Sequence, residues 1–580
     1  MNLNIEMSKD GYKVLKIEKN DKKIYLGSKY NQKREIEKFI NSVEEITPKD
    51  NYIVFGLSFG EHIEELLKLT YSNNNIFIIE FNEELKNYCK KDLKVRQVLD
   101  NPRVKLFDEI KDIKEFFKNF VNEANVNQLK TIIYSNYFKI YEEKLMEICG
   151  AIRDQFMSVI LSRNTGIISG ELSFDNLLNN LKYIAKATIV NKLKGKYKNR
   201  PAIIVSAGPS LSKNIHNLKG VKNALILSGG RTLRPLLEKN IMPSCIGIVD
   251  PGEVSFKVVE GYIDKLDCPL IFNDQINPKI LEHHKENNYF TRINVFLDDI
   301  WDEQAYILSR GGSIAHTLTI LATFMGCNPI VFIGQDFAYT GEQGHDVSAG
   351  NKWRELSFDE YKRNDDIYVE DVNGNPVRTS LLLNDYRKSM EEIIAACPEF
   401  DFINATEGGA NIKGTKNEKL SEVLKRFDSE EVIKLNEYLV NEDKTDLIIK
   451  KLETSLDNFK MYIKLCEKAE RLLKDYRDNY YLKINKNIQQ SEEALNKVDT
   501  EIKENLKKLY IINFALSKMI YEIEANEEFI VKKSDDERTT FKKNTDRADA
   551  IYSGIKEVIL ECYDKIEKTI KELKENLDGK

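Results

Sequence analysis

Four stretches of this sequence place residues that could do chemistry just where short apolar runs end. In Arg200-Pro-Ala-Ile-Ile-Val-Ser-Ala-Gly-Pro-Ser-Leu211 a strand runs straight into the turn Gly208-Pro209-Ser210 and then a helix. The turn's backbone amides, at the start of that helix, could hold an anion such as a phosphate. Gly229-Gly230-Arg231-Thr232 follows Ala224-Leu-Ile-Leu-Ser228. Asp250-Pro251-Gly252 follows Cys245-Ile-Gly-Ile-Val249 and offers a carboxylate to a sugar hydroxyl or a base. The fourth stretch, Gly334-Gln335-Asp336-Phe337-Ala338-Tyr339-Thr340-Gly341, continues into Glu342-Gln-Gly-His345-Asp346. Tyr339 could donate a hydrogen bond to a departing phosphate, and His345 has an intrinsic pKa suited to acid–base work. Of the six histidines, His345 alone sits in a Gly-rich loop after a strand.

Two further loops belong with these. Gly311-Gly312-Ser313 opens a helix and makes a second amide-rich N-terminus, and Asn404-Ala-Thr406-Glu-Gly-Gly409 ends another apolar run with groups suited to a base or sugar. Any one of these loops also reads as an ordinary turn or helix cap. Their convergence on one sheet edge points to a nucleotide. No GxxxxGK[ST] run occurs, which argues against a P-loop kinase or ATPase. Asp336 and Asp346 could hold a cation, but the Asp-x-Asp that bridges a diphosphate to a metal is missing, so no metal is expected.

The elements that must position these loops are legible as continuous apolar strands alternating with helical segments. To those above we add Pro269–Asp274, Asn294–Leu297, Ile330–Gly334 and Phe402–Asn404 as expected strands. That pattern predicts a parallel, doubly wound sheet, in which ligands bind beyond the carboxyl ends of the strands. The uncharged stretch Gly311–Gln335 is 25 residues long. It opens on glycines and is broken by Asn328-Pro329, so it reads as a buried helix and strand rather than a membrane span.

Before this central region, Tyr52-Ile-Val-Phe-Gly-Leu reads as a strand, Gly56–Gly60 as a turn, Glu61–Leu69 as a helix and Ile76–Glu80 as a strand ending in an acid. The opening is Rossmann-like and resembles the adenosylmethionine-binding loop of methyltransferases, although non-binding α/β domains share it. After it, seven of the 12 prolines fall between Pro201 and Pro278, and none follows Pro398. Leu452, Leu456, Phe459, Ile463, Cys466 and Leu473, then Ile502, Leu506, Leu509, Leu516, Ile520 and Ile523, keep helical spacing. Long amphipathic helices in a bundle are expected there. The expected domains are a Rossmann-like α/β domain at 1–165, a catalytic α/β domain at 166–425, and an all-α domain at 426–580.

Composition sets the outer bounds. The chain has 580 residues, 42% hydrophobic and 31% charged, with a net charge of −6, which fits a folded protein and not a non-specific nucleic-acid binder. The eight cysteines form no CxxC pair, excluding the common zinc spacings and any obvious disulfide framework. No secretory leader is read at the N-terminus, so a cytoplasmic setting is expected.

Ser206-Ala-Gly-Pro-Ser-Leu211, Val249-Asp-Pro-Gly252, Gly311-Gly-Ser313, Ile333-Gly-Gln-Asp-Phe-Ala-Tyr-Thr-Gly341 and Asn404-Ala-Thr-Glu-Gly-Gly409, in this order, resemble the motility accessory factors, a flagellin glycosyltransferase family. The resemblance spans nearly the whole chain. It implies transfer of a nonulosonic acid, such as pseudaminic, legionaminic or sialic acid, from its CMP-activated form to Ser or Thr of flagellin, before export and filament assembly. The central part is also similar to bacterial sialyltransferases. That similarity places Gly208, Pro209 and Ser210 at the CMP phosphate and ribose and Thr232 and Asp250 near the nucleotide. Gly312 and Ser313 would then lie at the cytidine or donor carboxylate, with Asp336 and Tyr339 lining the donor pocket. These two are counted with His345 as the catalytic candidates, the base being His345 or a carboxylate. Gln335, Asn404 and Thr406 are expected, from their loops, to contact the donor nucleotide. Those sialyltransferases carry Asn-type residues where Thr232 and Asp250 stand here, and their histidine lies further along than His345.

The chemistry implied needs no cofactor beyond the CMP-sugar donor, because CMP is a good leaving group and positioning and electrostatics do the rest. A single displacement would invert the anomeric centre. A polypeptide acceptor needs a wide contact surface, expected from the N-terminal domain and the helical C-terminal region, where self-association is the alternative use. Two other readings are carried alongside: a pterin-type pyrophosphokinase using ATP and Mg²⁺, and a non-catalytic flagellin-binding assembly factor.

Overall fold

Ala202–Val205, Leu225–Gly229 and Ile330–Ile333 are almost unbroken runs of Ile, Leu, Val and Phe, and such strands need cover on both faces. The computed structural model describes residues 4–19, 22–122, 125–285, 287–308, 311–349 and 367–578. It divides into two compact units, Met1–Ile167 with Met519–Ser553, and Ile168–Lys518 with Gly554–Lys580. The C-terminal helices therefore contribute to both.

In the first unit, β1 (Asn4–Met7), β2 (Lys13–Lys19) and β3 (Lys22–Leu26) form an antiparallel sheet that the lysine-rich sequence had not announced. The four strands β4 (Asn51–Phe55), β5 (Ile76–Ile79), β6 (Val104–Phe107) and β7 (Leu129–Ile133) form a parallel sheet in the order β6-β5-β4-β7. Every residue of β4 and β5 is buried. The expected strand–turn–helix unit is present, with its helix at Glu61–Leu69.

The second unit carries β8 (Thr188–Ile189), β9 (Ala202–Val205), β10 (Leu225–Gly229), β11 (Cys245–Gly247), β12 (Leu270–Phe272), β13 (Tyr289–Phe290), β14 (Ile330–Ile333), a hairpin of β15 (Ile367–Glu370) and β16 (Pro376–Thr379), then β17 (Phe402–Asn404) and β18 (Lys416–Asn417). Apart from the hairpin they make one parallel nine-stranded sheet, β18-β17-β14-β9-β10-β11-β12-β13-β8. From β9 the chain moves outward through β10 to β13, then returns to lay β14 on the other side of β9. In open α/β sheets such a reversal leaves a crevice where ligands bind, here at the carboxyl ends of β9 and β14.

The helix Ile314–Met325 covers one face of this sheet, capped at its start by the Ser313 side chain. Leu318, Leu321, Ala322 and Met325 are fully or almost fully buried against the strands. A large apolar side chain so buried contributes about 1.5–3 kcal/mol. The uncharged 311–335 stretch is thus helix then strand, and among the described residues no helix is long and apolar enough to cross a membrane.

One expected strand is absent. The pairing falls on Tyr289–Phe290, and Val295–Leu297 is a 3-10 turn. The Asp274 carboxylate accepts the amides of Ile293 and Asn294 at 3.0 and 2.6 Å, and Asn294 Oδ1 accepts that of Phe296 at 2.9 Å. These side-chain bonds turn the chain where β propensity alone would extend it.

The C-terminal region is helical as expected, with Thr445–Tyr481, Asn485–Glu504, Asn513–Ala525 and Glu537–Asp578. Leu452, Leu456, Phe459, Cys466 and Leu473 are buried. The second stripe is only partly so: Leu506 and Ile520 are exposed. Leu506–Ile512 winds as a 3-10 helix that buries Leu509, Ile511 and Ile512 and leaves Leu506 exposed at its first position.

Candidate functional site

The loops after β9, β14 and β17 meet on one buried side chain. Asp336 is 2% exposed, and its Oδ2 accepts from the hydroxyl of Ser210 at 2.7 Å and from the Ser210 amide at 3.3 Å. Its Oδ1 accepts from Thr340 at 2.6 Å, and its backbone oxygen from the Ala410 amide at 2.7 Å. The Gly208 amide donates to Gly334 O at 2.8 Å, so closely that a Cβ on Gly208 would strike both Gly334 O and the Asp336 carboxylate. Gly334 itself has φ +61°, which an L side chain rarely adopts. Burial raises the Asp336 pKa while the hydrogen bonds from Thr340 and Ser210 pull it back. Asp336 therefore ties the loops together from beneath.

Several residues expected at the donor share that hidden position. Ser210 is itself fully buried. Gln335 accepts the Ser206 hydroxyl on Oε1 at 2.5 Å and donates its amide to Thr406 Oγ1 at 3.1 Å. Asn404 accepts the Thr406 amide at 3.1 Å. Thr232 points back into its own helix start, where its hydroxyl meets Gly229 O at 2.9 Å and Ser228 Oγ at 2.7 Å. Asp336, Thr232, Gln335, Asn404 and Thr406 thus lie beneath the crevice rather than in it. The reason is common to all five: a buried polar group must be hydrogen-bonded, and here the partners are the chain's own loops.

What faces outward is a different set. Asp250 has an exposed side chain at the end of the β11 connection, and its backbone oxygen accepts from Asn277 N and Ser255 Oγ. The same loop is held by Asn176, whose Nδ2 donates to Pro251 O at 3.1 Å. Gly312 is exposed, Pro209 and Ser313 half-buried. Tyr386, on the helix Leu381–Ala395, packs against Gly312. Crowding by protein, and then the charges of Asp250 and Asp385, raise its phenol pKa, so Tyr386 and Asp250 share one wall. The sequence offered no sign of Tyr386, which sits mid-helix among ordinary helical residues. Tyr339 is half-buried with the Arg378 guanidinium 4.2 Å over its ring.

His345 is exposed and held at the lip of the crevice. The next residue, Asp346, donates its amide to Ala207 O at 3.0 Å, and its Oδ2 accepts the Ser212 amide at 2.8 Å. Arg234 grips the following turn by donating Nε to Ser348 O at 2.7 Å. Both Asp346 oxygens are taken by hydrogen bonds, the other by Ser348, and the Ser348 and Ser212 bonds overcome burial to keep its pKa low. Surrounding protein, then the charge of Arg231, lowers the His345 pKa, while a hydrogen bond to the Ala207 backbone opposes them. The imidazole is neutral at pH 7 and able to accept a proton. Protein around Asp250 raises its carboxyl pKa, with Arg231 acting against the shift. The crevice thus presents a neutral imidazole, a carboxylate, a phenol and a guanidinium beside the Gly208-Pro209-Ser210 turn.

The Rossmann-like loop of the first unit is closed by its own residues. Glu80 is fully buried and accepts the amides of Leu57 at 3.0 Å and Asn82 at 2.9 Å, bonds of the kind a ligand's hydroxyls would make. The Tyr137 ring packs on Gly56 and Val95 on Gly60. Burial pushes Glu80 up to about 7 despite those amides.

With this geometry in place, comparison with known proteins is informative. Residues 175–342, which include β8 to β14 and the loops on them, match the family model described as 6-hydroxymethylpterin diphosphokinase MptE-like. No curated protein matches the sequence. Among solved structures, that of the MAf glycosyltransferase from Magnetospirillum magneticum AMB-1 aligns with 100% of this chain and 95% of its own, at a TM-score of 0.61 and 14% identity. From end to end, the mixed α/β fold with its helical C-terminal region is similar to that of a motility accessory factor glycosyltransferase, as the resemblance carried by the motifs implied.

Proposed function

We propose that this protein is a glycosyltransferase that moves a nonulosonic acid from its CMP-activated form to Ser or Thr hydroxyls of flagellin, in the cytoplasm and ahead of filament assembly. The observation that carries the reading is the crevice itself, with the Gly208-Pro209-Ser210 turn, Asp250 and a neutral His345 gathered at the carboxyl ends of β9 and its neighbours in a chain with a full-length glycosyltransferase fold. In this reading the Gly208-Pro209-Ser210 turn forms the surface beside the CMP phosphate, although its amides, expected from the sequence to hold the anion, are spent on Gly334 O and Asp336. Asp250 accepts from a hydroxyl of the donor. His345 accepts the proton of the attacking Ser or Thr, and Tyr339 supports the departing phosphate. The bond from the anomeric carbon to the phosphate oxygen breaks as the new C–O bond forms on the opposite face, inverting the centre. Positioning and fixed dipoles supply the acceleration, so no metal is needed.

The match of residues 175–342 to a pterin diphosphokinase model supports a second reading, pyrophosphoryl transfer from ATP to a pterin alcohol. Calorimetric titration separates the two. The transferase reading predicts CMP binding that survives chelation. Binding of ATP only with Mg²⁺, together with AMP release on adding a hydroxymethylpterin, would replace it with the kinase.

A further inference from the structure

Arg231 immediately follows the glycine pair at the end of β10, between the β9 turn and the β11 loop, where Gly229 registers against Gly247. It is half-buried, and among the described residues its guanidinium makes no hydrogen bond and no ion pair. Other arginines of this unit are engaged: Arg234 binds Ser348 O, Arg292 pairs with Asp298 at 2.7 Å, and Arg378 lies on Tyr339. A partly desolvated cation without a partner is costly, and a site that keeps one has reserved it for something else.

The groups facing Arg231 narrow what that is. Asp250, at the end of the neighbouring β11 connection, and His345 are both near enough to feel its charge. Yet Arg231 and Asp250 do not close an ion pair, which leaves a gap between an unmet fork of donors and an unmet pair of acceptors. A simple anion would satisfy Arg231 and be repelled by Asp250; a neutral sugar would leave Arg231 bare. A ligand carrying both an oxyanion and hydroxyl groups satisfies both, since a guanidinium takes an oxyanion in bidentate fashion and a carboxylate accepts from hydroxyls.

We propose that Arg231 is the anion anchor of the crevice, holding an oxyanion of the donor while Asp250 takes its hydroxyls. The proposal rests on the donor reading above and deepens it: Arg231 selects a negatively charged sugar nucleotide. The oxyanion is either the carboxylate of the sugar acid or the phosphate that joins it to the nucleoside.

The test titrates the full-length protein, Arg231→Met and Arg231→Lys with CMP-N-acetylneuraminic acid, CMP and cytidine. Arg231→Met is expected to weaken the charged ligands at least tenfold and leave cytidine unchanged, with Arg231→Lys between. Weakening confined to the CMP-sugar assigns the carboxylate; equal weakening of CMP assigns the phosphate. Arg231→Met binding both charged ligands as tightly as the unaltered protein overturns the anchor. If the unaltered protein binds no cytidine compound, the donor reading falls, and the anchor is decided separately with N-acetylneuraminic acid and ribose 5-phosphate, each carrying an oxyanion and hydroxyls, following the His345 imidazole by NMR. An anion seated on Arg231 raises the His345 pKa in the unaltered protein and not in Arg231→Met. No shift in the unaltered protein, or the same shift in both, overturns it.

Discussion

Asp336 and His345 lie on the same connection after β14, but one faces in and the other out, and mutation should separate them. Removing the Asp336 side chain leaves the hydroxyls of Ser210 and Thr340 without their acceptor, and each buried group so stranded costs roughly 1–3 kcal/mol. Asp336→Ala is therefore expected to lose at least about 2 kcal/mol of unfolding free energy in denaturant. His345 is exposed, and His345→Ala should change that free energy by less than ~0.5 kcal/mol. The same variant should lower kcat by about a hundredfold or more, as loss of a general base does. Since the His345 pKa lies below its ordinary value, activity should persist under mildly acid conditions and fall only below pH 6.5. A His345→Ala enzyme with full kcat would remove the residue from the chemistry. At this scale the sequence showed where the strand-end loops fall, because Gly-rich turns after apolar runs are local patterns. It did not show which polar residue faces in. Thr232 and Asp250 look alike as strand-end residues, yet Thr232 turns into its own helix start on Gly229 O and Ser228 Oγ while Asp250 stays exposed.

The two Rossmann-like elements differ in what fills the loop after the first strand. In the second unit the β9 turn opens beside exposed Asp250 and His345; in the first, Glu80 fills the corresponding place with its own carboxylate. Adenosylmethionine should accordingly give no thermal shift. A titration shows the same closure. The Glu80 pKa is raised from 4.5 to about 7, so between those values the folded unit binds more protons than the unfolded chain. Its contribution to stability is fully present below pH 4.5 and declines as pH rises toward about 7, by at most ~1.4 kcal/mol per pH unit. The stability difference between the unaltered protein and Glu80→Gln, measured by urea unfolding, should shrink across that window; a pH-independent difference would contradict the buried, self-bonded carboxyl. Strand, turn and helix here were readable to within a residue or two, because buried parallel strands are unbroken apolar runs. Tyr289–Phe290 was not, since two residues carry no period, and Asp274 and Asn294 redirect the chain just after it.

For the molecule as a whole, the succession of an α/β segment, a switch-point sheet and long helices was legible from where proline and glycine stop. The grouping of the C-terminal helices was not. Helical stripes reveal that a face is buried but not against what, and here the boundary between units falls inside that region, at Lys518–Met519 and again at Gly554. The central claim concerns transfer of an anionic sugar to a protein hydroxyl, and intact-mass spectrometry of flagellin tests it most directly. Flagellin incubated with the full-length protein, a CMP-activated nonulosonic acid and a chelator should gain the mass of one or more sugar residues. In the same time it should gain far less with Asp250→Ala or His345→Ala. Flagellin of unchanged mass with a donor that the protein demonstrably binds, or equal gain with both variants, would contradict the account.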